Sequence, residues 1–249
     1  MFQAAYRNFA EGVWLSQMRK WKRRWTVRAL IPSTPPKFLT GLTPAQKKLV
    51  LQSAELRKVQ ADRVIVNTGD PATSLFLLKH GRAKYYRITK KGEEVVLWWL
   101  TAGDTFGIGT LLAMPINYIG TAQALDECEL LVWSRNRIRL LAEKHRILAQ
   151  NALHIILYCL AAYTERLIGL ATGTAEERLA YTLLQLARRA GHMRPDGAEL
   201  TILNEQLARL ASVSSFTASR QLKEWERQGI IQKGRGKVVI LAPEGLLIE

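Results

Sequence analysis

The chain has 249 residues, 48% of them hydrophobic, with a formal net charge of +15 and a pI near 10.1. That much apolar material excludes a disordered polymer, and the length suits one large domain or two modest ones. Cys128 and Cys159 are too few for a disulfide framework and sit in no zinc spacing, which fits a reducing, cytoplasmic setting. No 18-residue apolar run and no apolar leader core stand out, so neither a membrane span nor a secretory signal is expected. The positive charge points to a polyanionic partner, either nucleic acid or an anionic membrane surface.

The charge is uneven. Residues 1–37 hold eight basic residues and one acid. Within them Trp14, Met18, Trp21 and Trp25 recur at helical spacing, surrounded by Arg19, Lys20, Lys22, Arg23 and Arg24. Pro32, Pro35 and Pro36 then interrupt any helix. Residues 1–31 therefore predict a basic amphipathic helix that lies on a membrane surface, touches DNA, or covers an apolar patch of its own chain.

From residue 51 to 134 the pattern becomes that of short strands. Leu75-Phe76-Leu77-Leu78, Tyr85-Tyr86, the run Val95 to Leu100 and the run Leu130 to Trp133 are separated by glycine turns. Such spacing predicts a small barrel or sandwich. Residues 136–172 then turn helical. Leu153, Leu157, Leu160, Thr164, Leu167 and Ala171 follow an a/d seam, which fits a helix that pairs with a second copy or an ordinary core helix.

Residues 173–249 read as a compact final unit. A helix follows Thr174 and its acidic first turn, and Asn204 is expected to cap a short second helix. After Ser212-Val213-Ser214 comes a third helix, capped by Ser214, faced inward by Ala218, Leu222 and Trp225, and ended by Gly229. Lys233-Gly234-Arg235-Gly236-Lys237 forms a basic hairpin tip. Helix, turn, helix and basic hairpin make the layout of a winged helix-turn-helix, which presents its second helix to a major groove. Ser215, Phe216, Ser219 and Arg220 are expected to face outward, with Arg220 suited to guanine or phosphate. Ser214 and Thr217 suit phosphates, and Lys233, Arg235 and Lys237 suit the flanking backbone.

The run Ser214 to Leu222 with Gly229-Ile230-Ile231 resembles the recognition helix of the Crp/Fnr family of bacterial regulators. Gly69-Asp70-Pro71, Ser74 to Leu78, and Gly81-Arg82-Ala83-Lys84-Tyr85 are similar to that family's cyclic-nucleotide-binding β-roll. The resemblance spans residues 38–245. It implies an α+β fold: a double-stranded β-roll or jelly-roll sensor (38–135), a long dimerisation helix (136–172) and a C-terminal winged helix-turn-helix (173–249), after an N-terminal extension (1–37). It also implies a homodimer on a palindromic double-stranded DNA site, with RNA polymerase as a partner.

Two departures from the family matter. Where the family commonly has Arg followed by Glu or Gln in the recognition helix, this chain has Ser215 and Phe216, and phenylalanine can meet a thymine methyl but cannot accept from cytosine. In the β-roll, the family's glutamate for the ribose falls on Ile108 and its arginine for the phosphate falls on Tyr118. Residues 92–134 contain no Lys or Arg at all. Cyclic AMP is therefore not expected in the usual mode. Two cysteines cannot hold an iron–sulfur cluster, and none of His80, His145, His154 and His192 lies in the apolar segment after Gly107 where haem would need a ligand. A thiol switch at Cys128 or Cys159 stays open, as does an apolar or aromatic effector lined by Trp98, Phe106, Ile108, Tyr118, Tyr163 and Thr164. The same residues also suit plain barrel core. His80 is the one histidine of the strand region, so no metal site, cofactor or catalytic residue is expected there.

Overall fold

The computed structural model describes residues 36–246. The tryptophan-rich segment 1–31 lies outside the described residues. Two compact units emerge, dividing between Leu160 and Ala161.

The first unit begins with helix α1 (Pro44–Gln52), whose N-terminus carries a reciprocal cap: Thr43 accepts from the Gln46 backbone and Gln46 from the Thr43 backbone. Eight strands follow: β1 (Glu55–Val59), β2 (Val64–Val66), β3 (Ser74–His80), β4 (Ala83–Ile88), β5 (Glu94–Leu100), β6 (Thr105–Phe106), β7 (Thr121–Ala124) and β8 (Cys128–Ser134). They form two antiparallel sheets, ordered β1-β8-β3-β6 and β2-β7-β4-β5. This is the β-roll expected from the sequence.

The unbroken apolar runs of β3 and β8 have a specific cause: their sheet is buried on both faces. Phe76, Leu78, Leu130 and Val132 point into the roll, where they meet Val66, Ala83, Leu100, Ala122 and Ala124 from the other sheet. Leu75, Leu77, Leu131 and Trp133 alternate to the outer face. There they pack with Phe38, Val50, Ile138, Leu141, Leu148, Ala152 and Ile155. Trp133 is fully buried, and its indole donates to the Val50 carbonyl at 2.9 Å.

The helical stretch expected at 136–172 is two helices. Helix α2 (Arg135–Lys144) ends at His145, and α3 (Arg146–Thr172) starts immediately after it. His145 has φ −124° and ψ 82°, so the backbone breaks there. Leu148, Asn151, Ala152, Ile155 and Tyr158 make the buried face of α3. The buried Asn151 amide is satisfied by the carbonyls of Phe38 (2.8 Å) and Thr40 (2.7 Å). By length and composition alone α3 is apolar enough to cross a membrane. Leu153, Leu157, Leu160 and Leu167 on its other face are exposed.

The second unit takes the last part of α3 and helix α4 (Ala175–Ala190), capped by Thr174 and Glu177 in the same reciprocal way as α1. It continues with β9 (His192–Arg194), β10 (Gly197–Thr201), α5 (Asn204–Leu210), α6 (Ser215–Arg227), β11 (Ile231–Gly234) and β12 (Lys237–Ile240). Its sheet runs β11-β12-β10-β9. The hairpin β9–β10 had no counterpart in the sequence reading, although Pro195-Asp196-Gly197 is a turn signal. Leu179, Leu183 and Leu184 of α4, Leu207 of α5, Leu222 and Trp225 of α6, and Val238 and Ile240 of β12 are all buried.

Trp133→Ala should remove the largest side chain of the outer-face core and its hydrogen bond. The expected loss is about 3–5 kcal/mol, read as a lower urea midpoint with an unchanged m-value.

Candidate nucleic-acid interface and the interior of the roll

Helix α6 is held at both ends by its own chain. Ser214, extended at φ −70° and ψ 151°, accepts from the Thr217 backbone N–H at 3.0 Å and shares a 2.8 Å contact with the Thr217 hydroxyl. At the other end Gly229 adopts φ +71°, which glycine reaches without strain. The Ile230 N–H then reaches back to the Trp225 carbonyl (2.9 Å) and the Gly229 N–H to the Glu226 carbonyl (3.0 Å). This is the paired C-terminal closure of a Schellman motif.

The inward side is Ala218, Leu222 and Trp225, all at most 1% exposed. The outward side carries Ser215, Phe216 and Arg220, which are exposed, with Thr217 and Ser219 half-buried beside them. Phe216 is 76% exposed. Asn204 does not cap α5, because the helix starts at Asn204 itself. Its side-chain amide instead lies 3.5 Å from the Ser219 hydroxyl. Gln206 supplies the cap by accepting from the Leu203 N–H at 3.0 Å.

Two further contacts fix the turn between α5 and α6, and neither was visible as a motif. Arg178 of α4 donates to the carbonyls of Ala211 (3.1 Å), Ser212 (3.4 Å) and Gly173 (2.7 Å). Gln221 of α6 donates to Glu176 of α4 at 2.6 Å. One arginine thus satisfies carbonyls that the helix end and turn would leave open. It also sets the angle at which α6 leaves α5.

The basic hairpin is β11–β12, with Arg235 exposed at its tip and Gly236 at φ +68°. Lys233 is half-buried, and its backbone N–H donates to Glu226 at 2.9 Å. Lys237 pairs with Glu199 at 2.7 Å, and the same carboxylate pairs with Arg194 at 2.9 Å. These two cations hold the Glu199 carboxyl below the usual carboxylate range, with the Lys237 hydrogen bond the larger influence.

The interior of the roll is occupied by its own aromatic rings. Phe76 stacks on Phe106 with centroids 4.8 Å apart and planes 9° from parallel. Tyr118 tilts against Phe76 and Tyr85 against Phe106, both at 6.4 Å. Tyr118 is 6% exposed, and its hydroxyl is used twice: it accepts from the Ser74 N–H (3.0 Å) and donates to the Ser74 carbonyl (2.9 Å). Burial pushes its phenol above the ordinary tyrosine value, and burial does the same for Tyr85 and for the thiol of Cys128. Gly107 opens this segment at φ +76°, and a Cβ there would sit 2.5 Å from the Ser74 carbonyl.

The residues considered as an effector lining fall on several elements. Phe106 and Tyr118 belong to the roll interior, with Trp98 at its margin. Trp98 also meets Tyr158 of α3 edge-on at 6.0 Å. Ile108 packs instead with the outer-face core around Trp133. Tyr163 and Thr164 lie in the second unit.

Two arginines near this segment escaped the sequence reading because they come from outside residues 92–134. Arg57 of β1 places its guanidinium 5.9 Å from the Phe76 ring centroid. Arg135, the first residue of α2, donates to the carbonyls of Thr110 (3.3 Å), Leu112 (2.6 Å) and Ala113 (3.0 Å).

Comparison with known proteins agrees with both units. A cyclic nucleotide-binding domain model matches residues 56–145, and a Crp-like helix-turn-helix domain model matches residues 177–247. The cyclic AMP receptor protein of Thermus thermophilus is 28% identical over 200 residues, covering 80% of this chain and 90% of its own. Electron transport regulator A of Shewanella oneidensis is 28% identical over 187 residues, 74% of each chain. The solved structure of a Crp/Fnr-family transcriptional regulator from Thermus thermophilus superposes with a TM-score of 0.64 at 25% identity, covering 77% of this chain and 96% of that one.

Ser214→Ala should expose the first turn of α6 at a cost of about 1 kcal/mol. Denaturant unfolding should register the loss, and amide exchange at Thr217 should accelerate.

Proposed function

We propose, from the fact that this chain belongs to the Crp/Fnr family of transcriptional regulators, that it works as a homodimer on a palindromic double-stranded DNA site. The observation that carries this is α6: closed at both ends, seated on Trp225, and exposing Ser215, Phe216 and Arg220 beside a basic hairpin. In the major groove, Phe216 and Arg220 meet base edges while Ser214, Thr217 and Ser219 meet phosphates or base edges nearby. Lys233, Arg235 and Lys237 reach the flanking backbone. The exposed stripe of Leu153, Leu157, Leu160 and Leu167 on α3 supports pairing with a second copy, because an apolar seam of that length is costly to leave in water. RNA polymerase follows as a partner from the family, and a chromosomal target from the DNA ligand, which keeps the protein in the cytoplasm.

The roll, on this reading, does not take cyclic AMP in the usual way. Tyr118 stands where the phosphate-binding arginine would, with its hydroxyl committed to the Ser74 backbone. Ile108 replaces the ribose-binding glutamate and packs elsewhere. The effector is an apolar or aromatic molecule that displaces some of this packing, or there is none.

Selection from random duplexes at about 0.1 M salt tests the main reading, with a two-fold symmetric consensus as the expected product. Sedimentation should give a dimer, and a monomer that prefers no duplex would overturn the reading. Millimolar cyclic AMP should leave the Tm unmoved. Saturable stabilisation that is lost with Tyr118→Ala would show instead that this pocket binds the nucleotide. Glu199→Gln should release Lys237 and raise DNA affinity by about two- to five-fold at low salt, the scale of one exposed ion pair. It should also steepen the salt dependence by up to about one phosphate contact.

A further inference from the structure

Phe216 is the one exposed Phe, Tyr or Trp among the described residues; the other side chains of these types are buried or half-buried. It sits in the first turn of α6, between small polar neighbours Ser215 and Thr217, on a helix whose cap and inner face need nothing from it. A ring that is 76% exposed on an otherwise polar face contributes little to the fold. Its burial is deferred to a partner.

We propose that Phe216 reads the 5-methyl group of a pyrimidine, thymine or 5-methylcytosine, in the major groove of each half-site. The inference rests on the duplex-binding reading above and names the base chemistry that site selects. Among base-edge features in that groove the C5-methyl is the apolar one, whereas the other edge atoms are donors or acceptors that a phenyl ring would strip of water without replacement. Ser215 is short enough to let the ring approach. Arg220 lies four residues on, hence on the same helix face at about 5–6 Å between Cβ atoms. With base pairs stacked about 3.4 Å apart, the methylated pyrimidine falls one or two steps from the position Arg220 contacts. The half-site is therefore selected by one apolar and one guanidinium contact at most two steps apart.

The test uses the full-length protein and the duplex won from random selection, with each thymine replaced in turn by deoxyuridine, which removes only the methyl. One symmetry-related pair of thymines should be sensitive. Losing burial of one methyl predicts about a four-fold weaker Kd per half-site, about fifteen-fold for both. Cytosine at that position should bind more weakly than 5-methylcytosine by the same factor. Phe216→Ala should bind thymine and deoxyuridine duplexes equally, with the salt dependence of non-specific binding unchanged. Phe216→Glu should shift the preference at this position toward cytosine, whose N4 amine a carboxylate accepts. A wild-type protein that selects a duplex yet ignores deoxyuridine at every position overturns the proposal alone. So does a Phe216→Ala variant that keeps the wild-type penalty. A chain that selects no duplex overturns both readings.

Discussion

The first unit depends on a sheet that serves two cores at once. Strands β3 and β8 send alternate side chains to opposite faces, so Phe76 and Leu130 fill the roll while Leu75 and Trp133 hold the helices. A one-residue slip in the pairing Phe76↔Val132 would exchange every inner residue for an outer one. Because both faces are apolar, composition alone does not fix that register. Size does: the outer core has room for the indole of Trp133 and a carbonyl for its N–H to meet, at Val50. The arrangement also places the segment after Gly107 between two constraints. Tyr118 fixes its end from inside the roll, and Arg135 of α2 fixes its middle through three carbonyls.

The second unit solves a different problem, which is to aim a short helix. Hydrophobic seating sets how deep α6 lies, since Ala218, Leu222 and Trp225 leave no freedom to roll. Hydrogen bonding sets its direction, through Arg178 on the turn and Gln221 on Glu176. Each is a contact to α4, so the recognition helix takes its bearing from the helix that follows the long α3. The exposed row of Ser215, Phe216 and Arg220 is then free of structural duty, so it can change without disturbing the fold.

Much of this was legible from residue order. The Ser214 cap, the Gly229 stop and the inner triad of α6 are local rules, and local rules survive folding. The two-sheet roll was legible from spaced turns. What escaped depends on distance in sequence. Arg178 reaches a turn 33 residues away, and Arg135 a loop 22 residues back; nothing in their neighbourhood marks them. Arg57 was missed because a count of cations within residues 92–134 assumes that a pocket is lined by its own segment. The break at His145 was hidden because the apolar periodicity on either side continues as if one helix ran through. Ile108 and Tyr118 stand at the positions of the family's two ligand contacts, yet Tyr118 packs inside the roll while Ile108 packs with the outer-face core.

Glu199 holds two cations with one carboxylate, and that sharing has a consequence for what happens at a polyanion. An acid with a single partner would be stranded when the partner left, and the cost would oppose departure. Here Lys237 can swing away to a phosphate while Glu199 keeps its ion pair with Arg194, which also holds Asp196. The hairpin thus stores a lysine in a resting ion pair and can lend it out while Glu199 retains one hydrogen-bonded partner.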